Sequence, residues 1–215
     1  MNYVRRMLLI TLFFAFTACS TMYYDGLEKI GLPKRDVMVY RVEKARDTQE
    51  ETKEQFKSAL HQFTAVTNFK GGDLEAIYNK LNDEYEASVS MAEEVNGRIA
   101  DIEDVSEALF SEWEQEITQY NSASLKRNSQ KKLNDTKAHY RQLISSMKTA
   151  EAKIAPILRV FNDQVMYLKH NLNARAITSL KGELGAIKSD VSSLIHSMEK
   201  SINEANAFIN TMDQQ

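Results

Sequence analysis

Few residues of this 215-residue chain are typed and spaced for chemistry. The four histidines, His61, His139, His170 and His196, are scattered, and none belongs to a Glu-x-x-His pair of the kind that holds metals inside helical bundles. There is no Gly-x-Ser-x-Gly elbow, Gly-rich phosphate loop or dinucleotide fingerprint, and Gly71-Gly72 reads as a turn between helices. The residues therefore point away from an enzyme and offer no metal or cofactor site. Two features remain. One is Cys19, the only cysteine, whose thiol could take up a covalent group. The other is the cationic cluster Lys126, Arg127, Lys131 and Lys132, which could meet an anion or an acidic partner.

Cys19 stands at the end of a segment built for processing. Arg5 and Arg6 form a positive start, Met7 to Phe16 is an apolar run, and Thr17-Ala18 supplies small residues before the cysteine. Ten helical residues rise about 15 Å against a hydrocarbon core of about 30 Å, so the run is too short to span a bilayer. Phe16-Thr17-Ala18-Cys19 resembles the lipobox of bacterial lipoproteins, with Phe16 at the usual Leu position. The resemblance implies removal of residues 1–18, a diacylglyceryl group on the Cys19 sulfur and a further acyl chain such as palmitate on its amine. An ordinary secretory signal cut nearby is the alternative. Several acyl chains, each contributing about 0.8 kcal/mol per buried methylene, would hold the mature chain permanently on a membrane. Ser20 follows where inner-membrane lipoproteins typically carry Asp, so the sorting rule implies the outer membrane, on its periplasmic side. With Cys19 acylated no disulfide is possible, and the fold must hold by packing alone.

The elements that position these groups are helices. Only 7 Gly and 2 Pro are too few for a sandwich, barrel or wound sheet, while 43% apolar and 27% charged residues suffice for a core. The balance of 27 basic against 30 acidic side chains lacks the excess of a nucleic-acid binder. Residues 19–35 read as a lipidated tether with a short helix, interrupted by Gly26, Gly31 and Pro33. Tyr23 and Tyr24 would either sit at the headgroup level or pack on the bundle end.

From Pro33 the apolar residues follow helical periods over about 36–69, 73–120, 125–171 and 174–212, and in the first of these Val39, Val42, Ala45, Phe56, Leu60, Phe63 and Val66 carry the stripe to Phe69. Asp73 caps the second helix, whose stripe stays in phase across Gly97. In the third, Leu133, Tyr140, Leu143, Met147, Ala150, Ile154, Ile157, Phe161, Val165, Leu168 and Leu172 fall at steps near three and four, the spacing of coiled-coil packing. Pro156 should bend this helix near Ala152 without ending it. Connections of a few residues favour antiparallel neighbours. The expected fold class is therefore all-α, an elongated antiparallel four-helix coiled-coil bundle over 36–213, with a hairpin of helices two and three projecting at Tyr120 to Lys126.

Three sites read two ways. Nine acids and one base lie between Glu93 and Glu116, and six bases and one acid between Lys126 and Arg141, so the cations would pair internally or meet an external anionic lipid or polymer. Thr48, Gln49 and Thr52 replace apolar residues in the first stripe, giving a thin, wet layer or a face for a partner helix. Asn171 and Asn173 crowd a turn where capping is the simpler role.

Leu32-Pro33-Lys34-Arg35-Asp36, the stretches 41–47 and 55–60, and Leu168 to Ala174 together resemble a family of Gram-negative envelope proteins catalogued only as a domain of unknown function. The likeness covers nearly the whole mature chain. It implies a helical exported protein and brings no activity with it. The expectation is a non-enzymatic outer-membrane lipoprotein serving as a periplasmic scaffold, spacer or adaptor for an envelope partner. The alternative is a membrane-surface or anionic-polymer binding protein using the basic cluster.

Overall fold

Pro33 opens the first long helix because its fixed φ, here −66°, suits a helix start and its missing N–H costs nothing there. The computed structural model describes residues 23–213 apart from 25, 70 and 72. The processing segment, Cys19 and the start of the tether lie outside the described residues. Five long helices follow: α1 Lys34–Thr67, α2 Leu74–Gln119, α3 Ala123–Glu151, α4 Ile154–His170 and α5 Ala174–Asp213. No strand occurs among the described residues.

Local signals account for most boundaries. Asp73 Oδ1 accepts from the Ala76 amide at 3.1 Å and starts α2, which runs unbroken through the open position at Gly97. The Ser122 hydroxyl accepts from the Leu125 amide at 3.4 Å to start α3. Asn173 Oδ1 takes the amides of Arg175 and Ala176 at 3.0 and 3.1 Å and starts α5, while Asn171 donates to the Tyr167 carbonyl at 2.9 Å. Both asparagines thus satisfy backbone groups at the turn.

The third expected helix is corrected. It is two helices, parted at Ala152–Lys153, where the bonds shorten to Lys153 N–H donating to Ala150 O at 3.1 Å. Pro156 has no N–H for the Ala152 carbonyl and its ring crowds that carbonyl, so the ladder restarts with proline in the first turn of α4. Leu172, expected in the same stripe, lies past the end of α4 and is exposed. In α1 the buried stripe runs through Met38, Val42, Ala45, Phe56, Ala59, Phe63 and Val66, so Met38 and Ala59 occupy the interior where Val39 and Leu60 were expected; those two are half-buried.

Helix α1 packs on α2 and α5; α2 also packs on α3 and α4, and α5 on both of these. Along α1 and α2 the partners descend as the chain ascends: Lys34 meets Glu112, Arg41 meets Asp101, Thr48 meets Glu94 and Gln55 meets Glu84. These two helices are antiparallel. So are α2 and α3, joined by Glu114 to Lys137 and Glu103 to Lys148, and α1 and α5, joined by Arg35 to the Met212 carbonyl and Arg46 to Asn206. The core is one apolar cluster, with Phe161 stacked between Phe56 and Phe63 at centroid distances of 6.5 and 6.1 Å.

Thr48, Gln49 and Thr52 are buried, so they form an interior polar layer and not an open face. Thr48 donates to Glu94 and Thr52 to the Thr48 carbonyl, whereas the Gln49 amide and the buried Ser201 hydroxyl make no hydrogen bond within the described residues. Truncating Phe161, which joins α4 to α1 through the core, should cost about 3–5 kcal/mol. Urea unfolding of Phe161→Ala followed by circular dichroism would measure it, and a loss under about 1 kcal/mol would contradict this packing.

Candidate functional site

The most built surface lies where the chain turns into α1. Residues 26–29 are helical, and the turn closes with Leu32 N–H donating to Leu27 O at 3.0 Å and Gly31 N–H to Glu28 O at 2.9 Å. This is the Schellman arrangement, and it needs the left-handed backbone that Gly31 supplies at φ +88°. Pro33 then turns the chain into α1.

Two charged nodes fasten this turn to α2. Lys34 is almost fully buried, with its ammonium 3.0 Å from both Glu28 and Glu112. Burial raises the Glu112 carboxyl above its ordinary range, against the opposing pull of the Lys34 hydrogen bond, and Glu28 adds to the rise. In the second node the buried Tyr24 hydroxyl donates to Asp104 at 2.5 Å, and the Arg41 guanidinium lies 5.3 Å from the Tyr24 ring centroid. Arg41 also donates to the Asp101 carbonyl at 2.6 Å and stands 3.6 Å from the Asp104 carboxylate. Burial, then the Asp104 bond, lifts the Tyr24 phenol well above the usual tyrosine range, so it stays a neutral donor.

The paired tyrosines therefore divide. Tyr24 is core, while Tyr23 leans edge-on against it at 5.2 Å and is 56% exposed. Ile30, Leu32 and Tyr40 are exposed as well, at 74%, 48% and 58%. Tyr23, Leu27, Leu32, Val37 and Tyr40 line a groove of about 470 Å³ whose rim carries Arg41, Lys44 and Arg98 beside Asp36 and Asp101. Sequence reading overlooked Ile30, Leu32 and Tyr40; their one signal was to be large apolar residues lying off the stripe.

The cationic cluster lies at the α2/α3 hairpin. Lys126, Arg127, Lys131 and Lys132 are all exposed, and among the described residues Lys126, Arg127 and Lys131 form no ion pair. Of the acids expected to face the basic stretch, Glu114 pairs with Lys137 of that stretch, while Glu103 goes to Lys148 and Glu112, Asp101 and Asp104 to α1. Tyr120 and Leu125 are exposed beside the cluster, and the Trp113 indole donates to Ser129 at 2.8 Å lower on the hairpin. All four histidines are exposed and apart, and no three potential metal ligands converge among the described residues. No described helix is long and apolar enough to cross a membrane.

On its family match this helical chain belongs to a class defined by sequence alone. The model of the family described as protein of unknown function (DUF2959) matches residues 23–212, and the chain belongs to that family. A search of the curated proteins finds none that matches it.

The Lys34 node yields a pH-dependent prediction. Glu112 has its folded pKa raised above the unfolded value, so its favourable contribution is complete below the ordinary glutamate range and is lost as pH rises through the raised value. Lys34→Met leaves two carboxylates facing each other and should cost about 1–3 kcal/mol at neutral pH, discounted for their partial exposure. The deficit should shrink on acidification to about pH 4.5 as the Glu112 carboxyl, whose pKa is raised, takes up a proton. Urea unfolding at both pH values checks this; a deficit independent of pH would contradict the node.

Proposed function

We propose that this chain is a non-enzymatic lipoprotein, anchored through acyl chains on Cys19 to the periplasmic face of a Gram-negative outer membrane, and that it acts there as a spacer, scaffold or adaptor for an envelope partner. Its form is an elongated antiparallel coiled-coil bundle of four rods, the third broken at Pro156, with the α2/α3 hairpin projecting at one end. The observation that carries this reading is the 46-residue α2, on the order of 70 Å long, covered by other helices along its length. Such a body sets a distance and offers surface. The short apolar run before Cys19 supports the anchor.

Fractionation of wild type beside Cys19→Ser, with mass analysis of the mature N-terminus, tests the anchor. Wild type should be acylated and membrane-bound, and the variant released; a soluble, unacylated wild type would refute it. Crosslinking in intact cells should then recover one defined envelope protein, and recovery of bulk lipoproteins alone would count against the adaptor role.

A second reading, binding to an anionic membrane surface, is favoured by the unpaired Lys126, Arg127 and Lys131 at the hairpin. Unlipidated protein should adsorb to anionic vesicles in a salt-sensitive way. Reversing the charge of these three with Lys132 should abolish the adsorption, and unchanged adsorption would exclude the cluster.

A further inference from the structure

Six of the nine large apolar residues exposed among the described residues lie at one end of the molecule. Tyr23, Ile30, Leu32 and Tyr40 belong to the N-terminal turn and the start of α1, and Tyr120 and Leu125 to the hairpin. The Lys34–Glu112 contact sets the level: the first residue of α1 stands beside a residue seven positions before the end of α2. At 1.5 Å per residue the hairpin tip lies only about 10 Å beyond it. The loop 30–32, which precedes α1, falls between the two. Cations share this end: Lys29 is exposed beside Ile30, and Lys126, Arg127 and Lys131, near Leu125, form no ion pair among the described residues.

We infer that this end is a bilayer-contact surface, in which Ile30 and Leu32 enter the headgroup region while the hairpin cations meet anionic lipid phosphates. The inference rests on the anchored reading of Cys19 and adds to it a second, non-covalent attachment that fixes which end of the rod faces the membrane. Chain length fits this occupant. Tyr24 is level with Asp104, eight residues or about 12 Å below Glu112 on α2, and the four steps from Tyr23 to Cys19 span at most about 14 Å. An acylated Cys19 can therefore reach, at full extension, the level where α1 begins at Lys34, next to the loop that carries Ile30 and Leu32, but not the opposite end of a rod about 70 Å long. The headgroup region is about 5–7 Å deep on each side, enough to take the loop and, with a slight lean of the rod, the hairpin tip. Aromatic and aliphatic side chains interleaved with lysine and arginine suit that interfacial layer. The opposite end then faces away from the lipid, and it carries the α1/α2 turn and the α4/α5 turn with Leu172.

The test places one fluorescent label, by Ile30→Cys or Leu172→Cys, on the full mature chain, whose Cys19 is blocked by acylation. Each protein is reconstituted into phosphatidylethanolamine–phosphatidylglycerol vesicles containing a lipid-borne nitroxide quencher. The label at position 30 should be quenched several-fold more than that at 172. Equal quenching, or none at position 30, in protein shown by mass analysis to be acylated would overturn the contact surface and leave the anchor standing. Strong quenching at position 30 in protein without acyl chains would support the surface while refuting the anchor. In a Cys19→Ser background, Ile30→Glu with Leu32→Glu should lower partitioning onto the same vesicles by about tenfold, equivalent to ~1.4 kcal/mol. Because both side chains are exposed, helical content and unfolding should stay unchanged, which separates a lost contact from a lost fold. Undiminished partitioning of the double variant would also overturn the proposal.

Discussion

An apolar stripe that runs the length of α2, from Leu81 through Val95, Ile99, Ile102 and Val105 to Ile117, must be kept from water, and the rest of the fold answers that requirement. No single partner in this chain is long enough. Helix α1 covers one flank, α3 and α4 in succession cover the other, and α5 closes the far side against α1, α3 and α4. The hydrophobic free energy is spread along the molecule and not concentrated in a globular centre, so each layer is thin and each large side chain counts. Phe161 shows this, since a single ring bridges α4 to two positions on α1.

Covering a long helix with shorter ones leaves the two ends unlike. At one end the hairpin outruns α1 and α5, and the N-terminal turn folds back along α1 and α2. There the apolar stripe gives way to charge: Lys34 between Glu28 and Glu112, and Arg41 with Tyr24, Asp101 and Asp104. These contacts use three acids of α2, Asp101, Asp104 and Glu112, and commit them to α1, while Lys126, Arg127 and Lys131 at the hairpin form no ion pair among the described residues.

Much of the fold was legible because helical periodicity, caps and breakers act locally. Asp73, Ser122 and Asn173 start helices through their own side chains, and Gly97 does not interrupt α2 because the apolar stripe on either side stays in phase. What could not be read depended on other helices. Pro156 announces a lost bond, but whether a helix bends or restarts depends on how α2 and α5 pack on both sides of it. Met38 and Ala59 displace Val39 and Leu60 from the interior because the two helices packed on α1, α2 and α5, set which side of a wide stripe is covered. Tyr23 and Tyr24 are identical in type, and it is Tyr24 that meets the distant Asp104 carboxylate and Arg41 guanidinium in the interior. The family match adds no activity, so the surface at the N-terminal turn rests on exposure, charge and chain length alone.

The most direct measurement is the distance between the N-terminal turn and the hairpin, read by paired spin labels at Ile30→Cys and Ser124→Cys in a Cys19→Ser background. A rod with tether and hairpin at the same end predicts a separation on the order of 20 Å, a small part of the ~70 Å length of α2. A separation approaching that full length would place them at opposite ends and contradict the architecture on which the proposed bilayer contact rests.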